Sequence, residues 1–342
     1  MSDVLIRTEG RAGRITLNRP KALNALTHEM CLAIDAALIA WARDPAVALV
    51  LIDGAGEKAF CAGGDIARMY EAGRAGDFHW PRQFWRDEYR MNARLYHYRK
   101  PVVSFLQGFT MGGGVGVGCH GSHRVVGESS RIAMPEAGIG LVPDVGGSLL
   151  LARAPGRVGE YLGVTAGRMA AGDAIFAGFA DHFVPEAEWP ALAAELAATG
   201  EVDRIAAAAT APPAADLEGR QADIDRLFAA ESWEALRAAL AGDPSDTAQA
   251  AAAALDKVSP LSAALTLELV RQVRRLDSIE GALDMEYRVT SRAMEHGDLM
   301  EGVRAMIVDK DHAPRWMPFD PAKVQRMLAP VTENGLDLGG TT

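Results

Sequence analysis

Apolar and polar positions recur with two different periods along this chain, and each period predicts a different kind of element. Residues 4–7 and 14–18 alternate on either side of a turn at residues 9–13, which predicts a short hairpin. Thr27 can cap a helix that runs to about residue 43. The apolar positions of this helix share one face: Met30, Ile34, Leu38 and Trp41. The chain is therefore predicted to begin with two strands and an amphipathic helix.

Two continuous apolar runs, residues 47–52 and 102–106, are typical of strands that are buried on both faces. Glycine-rich loops follow both runs, and a helix is predicted after each loop. The other predicted elements are helices from residue 65, at 81–98, at 113–120 and after 146, and strands at 124–126 and 131–133. Because strands and helices alternate, the pattern predicts an α/β fold with largely parallel strands.

The character of the sequence changes at about residue 190, where alanine-rich helical stretches begin. These stretches lie at residues 191–198, 206–211 and 248–254 and are interrupted by Pro212-Pro213 and by residues 242–244. Large apolar and charged residues are interleaved with the alanines, which favours packed helices over disorder. We therefore predict two regions: residues 1–190 with the functional site, and residues 191–342 as a helical C-terminal region.

Composition disfavours several functional classes. The 342 residues carry 35 Lys+Arg and 45 Asp+Glu, a net charge of −10, which disfavours nucleic acid or an anionic membrane as partner. The three cysteines have no CxxC spacing, which indicates a reducing compartment. The N-terminus lacks the pattern of a signal peptide, and the longest apolar run is too short to span a bilayer. We therefore expect a cytoplasmic protein.

Candidate chemistry is concentrated in residues 134–147, where Glu136 and Asp144 lie among glycine, proline and apolar residues. Two carboxyls in an apolar pocket can differ in pKa, so that one acts as base or nucleophile while the other supplies a proton. The alternative interpretation is a turn plus a surface glutamate.

Two glycine-rich turns, at residues 60–66 and 108–116, each follow a buried strand and lead into a helix. Backbone N–H groups at such helix starts are free to point at an anion. Two of these turns close together would form an oxyanion hole for a thioester enolate or a tetrahedral intermediate. Each turn alone is more typical of an ordinary strand–helix connection, and it is the pair, with the acidic loop downstream, that favours the oxyanion hole.

Three further patterns carry weaker signals. Residues 116–121 match GxGxxG, but they fall inside a predicted helix, ten residues after the strand, which disfavours a nicotinamide site. His120 and His123 lie near Cys119 without a cluster that would complete a metal site. Four arginines recur every four residues and favour a solvated helix face, with phosphate binding as the alternative: Arg82, Arg86, Arg90 and Arg94.

Glu88 lies on the same predicted helix as these arginines. Its neighbours three and four positions away are aromatic, apolar or amide side chains rather than cations: Phe84, Trp85, Met91 and Asn92. A solvated surface acid is the ordinary interpretation, but these surroundings also make Glu88 a candidate buried acid.

In combination, several short motifs of this chain resemble the enoyl-CoA hydratase/isomerase (crotonase) superfamily. They lie at residues 18–24, 60–65, 111–114, 135–136 and 143–147. The resemblance is greatest to the 3-hydroxyisobutyryl-CoA hydrolase branch, whose longer C-terminal part is also similar to residues 257–262 and 301–311. It implies an α/β fold: a crotonase-like spiral of ββα units with a helical C-terminal region.

The resemblance also implies roles for individual residues. The backbone N–H groups of Ala62 and Gly113 would form the oxyanion hole, Glu136 would be the catalytic glutamate, and Asp144 would be the second acid of the hydrolase branch. Glu88 would contact the substrate near its 3-hydroxyl. The remaining residues implied for the coenzyme A groove are Lys21, Ala22, Leu23, Gly63, Gly64, Asp65 and Ile66.

One departure from the superfamily pattern decides between its subfamilies. Hydratases carry a second glutamate in the helix after the glycine triplet, and this chain has Gly116 there. Water addition needs two acid–base groups around one water. The resemblance thus implies hydrolysis of a short-chain 3-hydroxyacyl-CoA, with 3-hydroxyisobutyryl-CoA of valine degradation as the expected substrate. An enoyl-CoA hydratase or isomerase of fatty-acid oxidation is the alternative.

The same resemblance sets the expected partners. An acyl-CoA is the substrate, coenzyme A is part of that substrate, and no metal or other cofactor is expected. A homo-oligomer, trimer or hexamer, is expected, without nucleic acid or membrane. A catalytically silent, RNA-binding member that uses the arginine stripe is disfavoured by the net charge of −10.

Overall fold

The computed structural model describes residues 2–332 and 335–339. The predicted hairpin is present as β1 (Val4–Glu9) and β2 (Ala12–Leu17), which pair antiparallel around a shorter turn than the sequence suggested. Helix α1 (His28–Ala42) follows, and the Thr27 hydroxyl accepts a hydrogen bond from the Met30 N–H. The predicted apolar face of α1 is buried, so both early predictions are confirmed.

The next part of the chain repeats a unit of two strands followed by helical structure. The first unit contains β3 (Leu49–Gly54), β4 (Ala59–Cys61), α2 (Ile66–Arg74) and α3 (His79–Tyr96). The second contains β5 (Val102–Phe105), β6 (Phe109–Met111) and α4 (Gly113–Gly118). The third contains β7 (His123–Val126), β8 (Arg131–Ala133), a 3-10 helix (Glu136–Ile139) and α5 (Gly147–Arg153).

Successive strands of these units alternate between two sheets. After α5 come α6 (Val158–Thr165), β9 (Arg168–Met169), α7 (Ala171–Phe176) and β10 (His182–Phe183). The larger sheet has the order β1-β2-β3-β5-β7-β10, and the smaller sheet has the order β4-β6-β8-β9. Strands β3, β5 and β7 are parallel to one another, as are β4, β6 and β8. The expectation of largely parallel strands is therefore confirmed.

Strands β4 and β6 lie in stretches that the sequence presented only as loop and turn. Each has three residues, which is too short to show an alternating pattern. Strand β4 pairs with β6, and β6 also pairs with β8, so the partners of both strands are distant in sequence. These two strands matter because each of them ends inside one of the two glycine-rich segments, residues 60–66 and 108–116.

From residue 189 onward the described chain is predominantly helical, as predicted. The helices are α8 (Trp189–Thr199), α9 (Asp203–Ala208), α10 (Asp216–Leu227), α11 (Trp233–Gly242), α12 (Asp246–Leu255), α13 (Pro260–Leu276), α14 (Ile279–His296), α15 (Leu299–Val303) and α16 (Pro321–Leu328), with a π-helical turn at Arg304–Val308. Helix α13 packs on α5 and α6, and α14 packs on α3. Side chains of these helices belong to the same hydrophobic cluster as the earlier strands and helices.

Among the described residues, the helices are all too short or too polar to cross a membrane.

Candidate active site

Both glycine-rich turns and the two-carboxylate loop meet at one cleft of about 80 Å³. The turn after β4 and the turn after β6 form one wall, and residues 135–145 form another. The polar and glycine lining consists of Gly63, Gly64, Glu88, Gly112, Gly113, Glu136 and Asp144. The apolar lining includes Ile66, Met69, Trp85, Leu141, Val145 and Leu299. The structure thus brings three acids singled out from the sequence, Glu88, Glu136 and Asp144, to one place.

Glu136 begins the 3-10 helix that follows β8 and is buried. Room for its carboxyl comes from Gly112, where a Cβ would lie only 2.6 Å from Glu136 Oε1. Gly112 also has φ +49° and ψ −119°, a backbone conformation that favours glycine. Within the described part of the chain, Glu136 Oε2 has no hydrogen-bond partner. The carboxyl is therefore held in the cleft with one oxygen uncommitted.

Asp144 lies on the loop between the 3-10 helix and α5 and is also buried. The Tyr89 hydroxyl donates a hydrogen bond to Asp144 Oδ2 at 2.8 Å. Sequence reasoning missed Tyr89, because a tyrosine within an amphipathic helix has the pattern of an ordinary core residue. The hydrogen bond stabilises the ionised form of Asp144.

Burial dominates the electrostatics of the two acids. Burial raises the pKa of Glu136 well above its ordinary value, and the nearby charge of Asp144 raises it further. Burial raises the pKa of Asp144 to about 7, and the Tyr89 hydrogen bond opposes that rise. Because two like charges in an apolar site repel each other, the pair keeps a proton near neutral pH.

Glu88 projects from α3 and is 3% exposed. Burial raises the pKa of Glu88, and the charge of Asp144 adds to the effect. Glu88 Oε1 lies 2.9 Å from the position that a Cβ on Gly113 would occupy, and within residues 2–332 and 335–339 it has no hydrogen-bond partner. The hypothesis of a buried acid rather than a solvated one is therefore confirmed.

The predicted oxyanion donor Ala62 is not available. Its N–H donates to the Leu23 carbonyl oxygen at 3.0 Å, which joins the turn after β4 to the segment before α1. Two residues later, the Gly64 nitrogen lies 3.3 Å from the position of a Cβ on Gly113. Neither Gly64 nor Gly113 donates its N–H to another described residue. The adjacent amides at the cleft are thus Gly64 and Gly113, and the sequence prediction was two residues early in the turn.

The residues predicted for the coenzyme A groove divide into two groups. Gly63, Gly64 and Ile66 line the cleft together with Ala62. Lys21 and Leu23 line an open surface groove that also includes Asn24 and residues 55–59. Ala22 lies in the 3-10 turn Pro20–Ala22 beside that groove and is exposed, and Asp65 forms an ion pair with Arg19 at 3.0 Å. The Leu23–Ala62 hydrogen bond connects the groove to the cleft.

Position 116 is closed to any side chain. A Cβ there would lie 2.7 Å from Asn92 Nδ2 and 2.8 Å from Val145 Cβ. These contacts leave no space for the second glutamate that characterises the hydratase pattern. The glycine at 116 also lies in the middle of α4 rather than at its start, which is the wrong place for a dinucleotide fingerprint.

The weaker sequence signals correspond to structural contacts. His120 Nε2 bonds to the Val145 carbonyl oxygen, and the His123 ring stacks on His182. Arg82 pairs with Glu295, and Arg94 pairs with Asp35. The Arg90 guanidinium pairs with Asp87, and that of Arg86 lies over the Tyr287 ring. Three of the four arginines therefore contact neighbouring helices, while Arg90 pairs within its own helix, so the stripe is not an open solvated face.

Comparisons with known proteins agree on the fold and differ in the activity they name. A model of the enoyl-CoA hydratase/isomerase family matches residues 12–330. The mitochondrial 3-hydroxyisobutyryl-CoA hydrolase of Gallus gallus is 40% identical over 93% of this chain and 85% of that protein. A crystal structure described as an enoyl-CoA hydratase from Rhodobacter sphaeroides 2.4.1 is 52% identical, with TM-score 0.93 over 98% of this chain and 100% of that one.

A second crystal structure is described as a carnitinyl-CoA dehydratase from Mycobacterium thermoresistibile. It is 41% identical to this chain, with TM-score 0.94 over 99% of this chain and 100% of that one. All of these similarities extend over nearly the whole molecule, including the helical C-terminal region.

Proposed function

The chain belongs to the enoyl-CoA hydratase/isomerase family, and from that premise we propose that it hydrolyses short-chain 3-hydroxyacyl-CoA thioesters, with 3-hydroxyisobutyryl-CoA as the principal substrate. The predicted fold, a crotonase-like spiral of ββα units with a helical C-terminal region, is confirmed. One observation carries the choice of hydrolysis: the acids at the cleft are Glu136 and Asp144, while position 116 has no room for a hydratase glutamate.

The two glycine amides supply electrostatic stabilisation in this proposal. The thioester carbonyl oxygen accepts hydrogen bonds from the N–H groups of Gly64 and Gly113. As the carbonyl carbon becomes tetrahedral, its oxygen gains charge and both hydrogen bonds strengthen. Each such donor lowers the barrier by about 3–4 kcal/mol.

The acid pair supplies the proton chemistry: the reactive form of the singly protonated pair is the one in which the proton lies on Asp144 and Glu136 is the carboxylate. Two routes use this form. In the first, the Glu136 carboxylate attacks the carbonyl carbon, the C–S bond breaks, and Asp144 protonates the leaving thiolate of coenzyme A; water then hydrolyses the anhydride. In the second, Glu136 takes a proton from a water whose oxygen attacks the carbon directly, the C–S bond breaks, and Asp144 protonates the leaving thiolate. Single turnover in ¹⁸O-water identifies the first route if water attacks the anhydride at its Glu136 carbonyl, because the label then enters the Glu136 carboxyl. If water attacks the acyl carbonyl, capture of the anhydride by hydroxylamine identifies the first route.

Glu88 supplies selectivity for the acyl group in this proposal. Its carboxyl lies in the same cleft as Glu136 and has an oxygen without a partner among the described residues. A 3-hydroxyl on the acyl chain would satisfy that oxygen. A chain without the hydroxyl would leave a buried polar group unpaired, which costs binding.

The hydrolytic route consumes only water, so the proposal includes no metal or redox cofactor. The family acts on acyl-CoA esters, and the place of the reaction in valine catabolism follows from the identity of the principal substrate. Dialysis against a chelator is expected to leave the rate unchanged. A dependence of the rate on added divalent metal would contradict this part of the proposal.

The cytoplasmic location and the homo-oligomer remain predictions. The Gallus gallus relative is named as mitochondrial, so the location needs its own test by cell fractionation. Light scattering during size-exclusion chromatography distinguishes a trimer or hexamer from a monomer.

The central test offers the purified chain 3-hydroxyisobutyryl-CoA and crotonyl-CoA in parallel. Release of free thiol from the first, with no loss of the enoyl absorbance of the second, supports the proposal. Hydration of crotonyl-CoA without release of coenzyme A would instead assign the chain to the hydratase alternative. The hydratase and dehydratase descriptions of the two crystal structures make this comparison necessary.

A further inference from the structure

The backbone that presents Asp144 is conformationally strained. Val145 has φ +54° and Gly146 has φ +77°. A positive φ is unfavourable for a β-branched residue such as valine and persists only where surrounding contacts enforce it. The contacts that enforce this turn therefore decide where the Asp144 carboxyl lies.

The first contact is the carboxyl of Glu286, which projects from α14. Glu286 Oε2 accepts the Gly146 N–H at 2.8 Å, and Oε1 accepts the Ser148 N–H at 3.2 Å. The Ser148 hydroxyl donates to the same Oε1. Three donors that follow Asp144 are thus held by one side chain from the C-terminal region.

The second contact is the ring of His120, at the end of α4. Its Nε2 lies 2.7 Å from the Val145 carbonyl oxygen, and because a carbonyl only accepts, Nε2 carries the hydrogen. Burial lowers the pKa of His120 to about 4, so the ring is neutral near pH 7. The ring also packs against Gly146, where a Cβ would lie 2.6 Å from Nε2.

Stability alone does not explain a glutamate at position 286. Its side chain is fully buried, and burial raises its pKa to about 8 despite the hydrogen bonds it accepts. The charges of Asp144 and Glu286 also repel each other. A neutral Ser or Asn could cap a helix start without burying a fourth carboxyl beside three others. What the Glu286 carboxyl group adds is two oxygens that contact the N–H groups of Gly146 and Ser148 at once.

We propose that Glu286 and His120 are positioning residues that hold the strained Val145–Gly146 turn from two sides and thereby fix Asp144 against Glu136. The consequence for the rate rests on the proposed hydrolase function, whereas the holding of the turn does not. Displacement of an acid by about 1 Å is enough to lower a rate by about 100-fold.

The test compares Glu286→Gln with a matched variant, Glu160→Gln. Glutamine keeps the size of the side chain but presents an NH₂ group to one of the two backbone donors, so one hydrogen bond is lost. Glu160 is also fully buried and also links an early helix to the C-terminal region, through Arg274, but it does not touch the Asp144 loop. Both variants lose interactions of a buried carboxylate, and only Glu286→Gln releases the turn.

For Glu286→Gln we expect kcat to fall by about 10- to 100-fold with KM changed less than about threefold. Amide hydrogen exchange at Gly146 and Ser148 is expected to accelerate by at least about tenfold. Glu160→Gln is expected to lower Tm while kcat and the exchange of those two amides stay at the wild-type values. Ser148→Ala removes a single donor and is the milder second variant if Glu286→Gln does not fold, with an intermediate loss of kcat expected.

Wild-type kcat together with wild-type exchange in Glu286→Gln, or in Ser148→Ala if that variant has to be used, would overturn the proposal. A loss of kcat in Glu160→Gln equal to that in Glu286→Gln would also overturn it, because general destabilisation would then explain both. If the wild-type chain releases no coenzyme A, the hydrolase proposal fails, and hydrogen exchange at Gly146 and Ser148 still decides whether Glu286 holds the turn.

Discussion

Three carboxyl groups line the cleft, and no positively charged side chain lines it with them among the described residues. Its lining, within the described residues, contains Glu88, Glu136 and Asp144 and no lysine or arginine. Burial and mutual repulsion therefore keep protons on these groups to higher pH than usual. A pair that shares one proton can provide a base and an acid at the same pH, which the proposed hydrolysis requires.

This sharing predicts a bell-shaped pH profile. Below the first macroscopic pKa of the Glu136–Asp144 pair, both acids are neutral and no base is present. We expect kcat/KM to rise with pH through about 7, the value to which the pKa of Asp144 is raised, and to fall again when the second proton leaves. Initial rates of thiol release between pH 5 and 10 measure this profile.

Tyr89→Phe is the matched control for the profile. The Tyr89 hydroxyl stabilises the ionised form of Asp144, so its removal raises the pKa of Asp144 and moves the acidic limb of the profile to higher pH.

The substitutions Glu136→Gln and Asp144→Asn, which remove the two acids themselves, are each expected to lower kcat by about 10²- to 10⁴-fold. A rate that does not change between pH 5 and 9 would contradict the shared proton.

The position of Glu88 in the cleft predicts a substrate preference that a substitution of Glu88 should remove. In Glu88→Ala, we expect the ratio of kcat/KM for 3-hydroxyisobutyryl-CoA over isobutyryl-CoA to fall by about tenfold, since a lost hydrogen bond of this kind is worth about 1.5 kcal/mol. Glu88→Gln keeps a group that can bond to the hydroxyl and should retain most of the ratio. An unchanged ratio in Glu88→Ala would remove Glu88 from substrate recognition.

At the scale of elements, the sequence predicted what local periodicity encodes. Helix α1 shows this, because its cap and its buried face are properties of consecutive residues. The three-residue strands β4 and β6 lack such a pattern and exist because they pair in the smaller sheet. The same limit explains Ala62: spacing identifies the glycine-rich turn, but only the hydrogen bond to Leu23 shows which amide points away from the cleft.

The contact between Glu286 and Gly146 is a second feature that the sequence could not predict. The two residues are 140 positions apart in the chain, and nothing near Glu286 in sequence distinguishes it from a solvated helix acid. Glu136 and Asp144 were found because their short loop has an unusual composition. A side chain that reaches the site from α14 has no such local signal, so only the tertiary structure identifies it.

Helix α4 gives a prediction at the same scale. Alanine at position 116 would place a Cβ 2.8 Å from Val145 Cβ, so Gly116→Ala should displace the turn beside Asp144. We expect the free energy of unfolding to fall by about 1–3 kcal/mol, as for other overpacked cores, and kcat to fall with it. Thermal denaturation and thiol release measure the two effects.

Gly219→Ala is the matched helical control. Gly219 lies in α10 with no atom within 4 Å of the position of a Cβ, so the substitution should stabilise the protein by about 0.5–1 kcal/mol. Gly116→Ala that is as stable and active as the wild type would show that Val145 has space to move. In neither variant do we expect hydration of crotonyl-CoA.

At the scale of the whole molecule, the helical C-terminal region is part of the active site's support. Helices α13 and α14 pack on the elements that carry Asp144 and Glu88, and Leu299 of α15 lines the cleft. The buried carboxyls of Glu160 and Glu136 lie where this region meets the earlier elements, and the two differ in the charge of their surroundings. Glu160 is neutralised by Arg274, whereas Glu136 has no cation beside it.

This difference predicts opposite effects of two similar substitutions on stability. The pKa of Glu136 is raised on folding, so its contribution to stability is present at low pH and is lost as pH rises toward that pKa. Glu136→Gln does not titrate, and its Tm relative to the wild type should therefore increase from pH 5 to pH 8. The free energy of unfolding of Glu136→Gln relative to the wild type rises by about 1.4 kcal/mol for each pH unit over which the wild-type acid keeps its proton.

The pKa of Glu160 is lowered, because Arg274 and Arg157 donate to it, so its contribution is present at both pH values. Glu160→Gln should accordingly lower Tm at pH 5 and at pH 8. Scanning calorimetry of both variants and the wild type at the two pH values makes the comparison. A Glu136→Gln protein that loses stability relative to the wild type as pH rises would show that Glu136 is ionised and compensated in the folded state, which would contradict the raised pKa that burial and the charge of Asp144 give to Glu136.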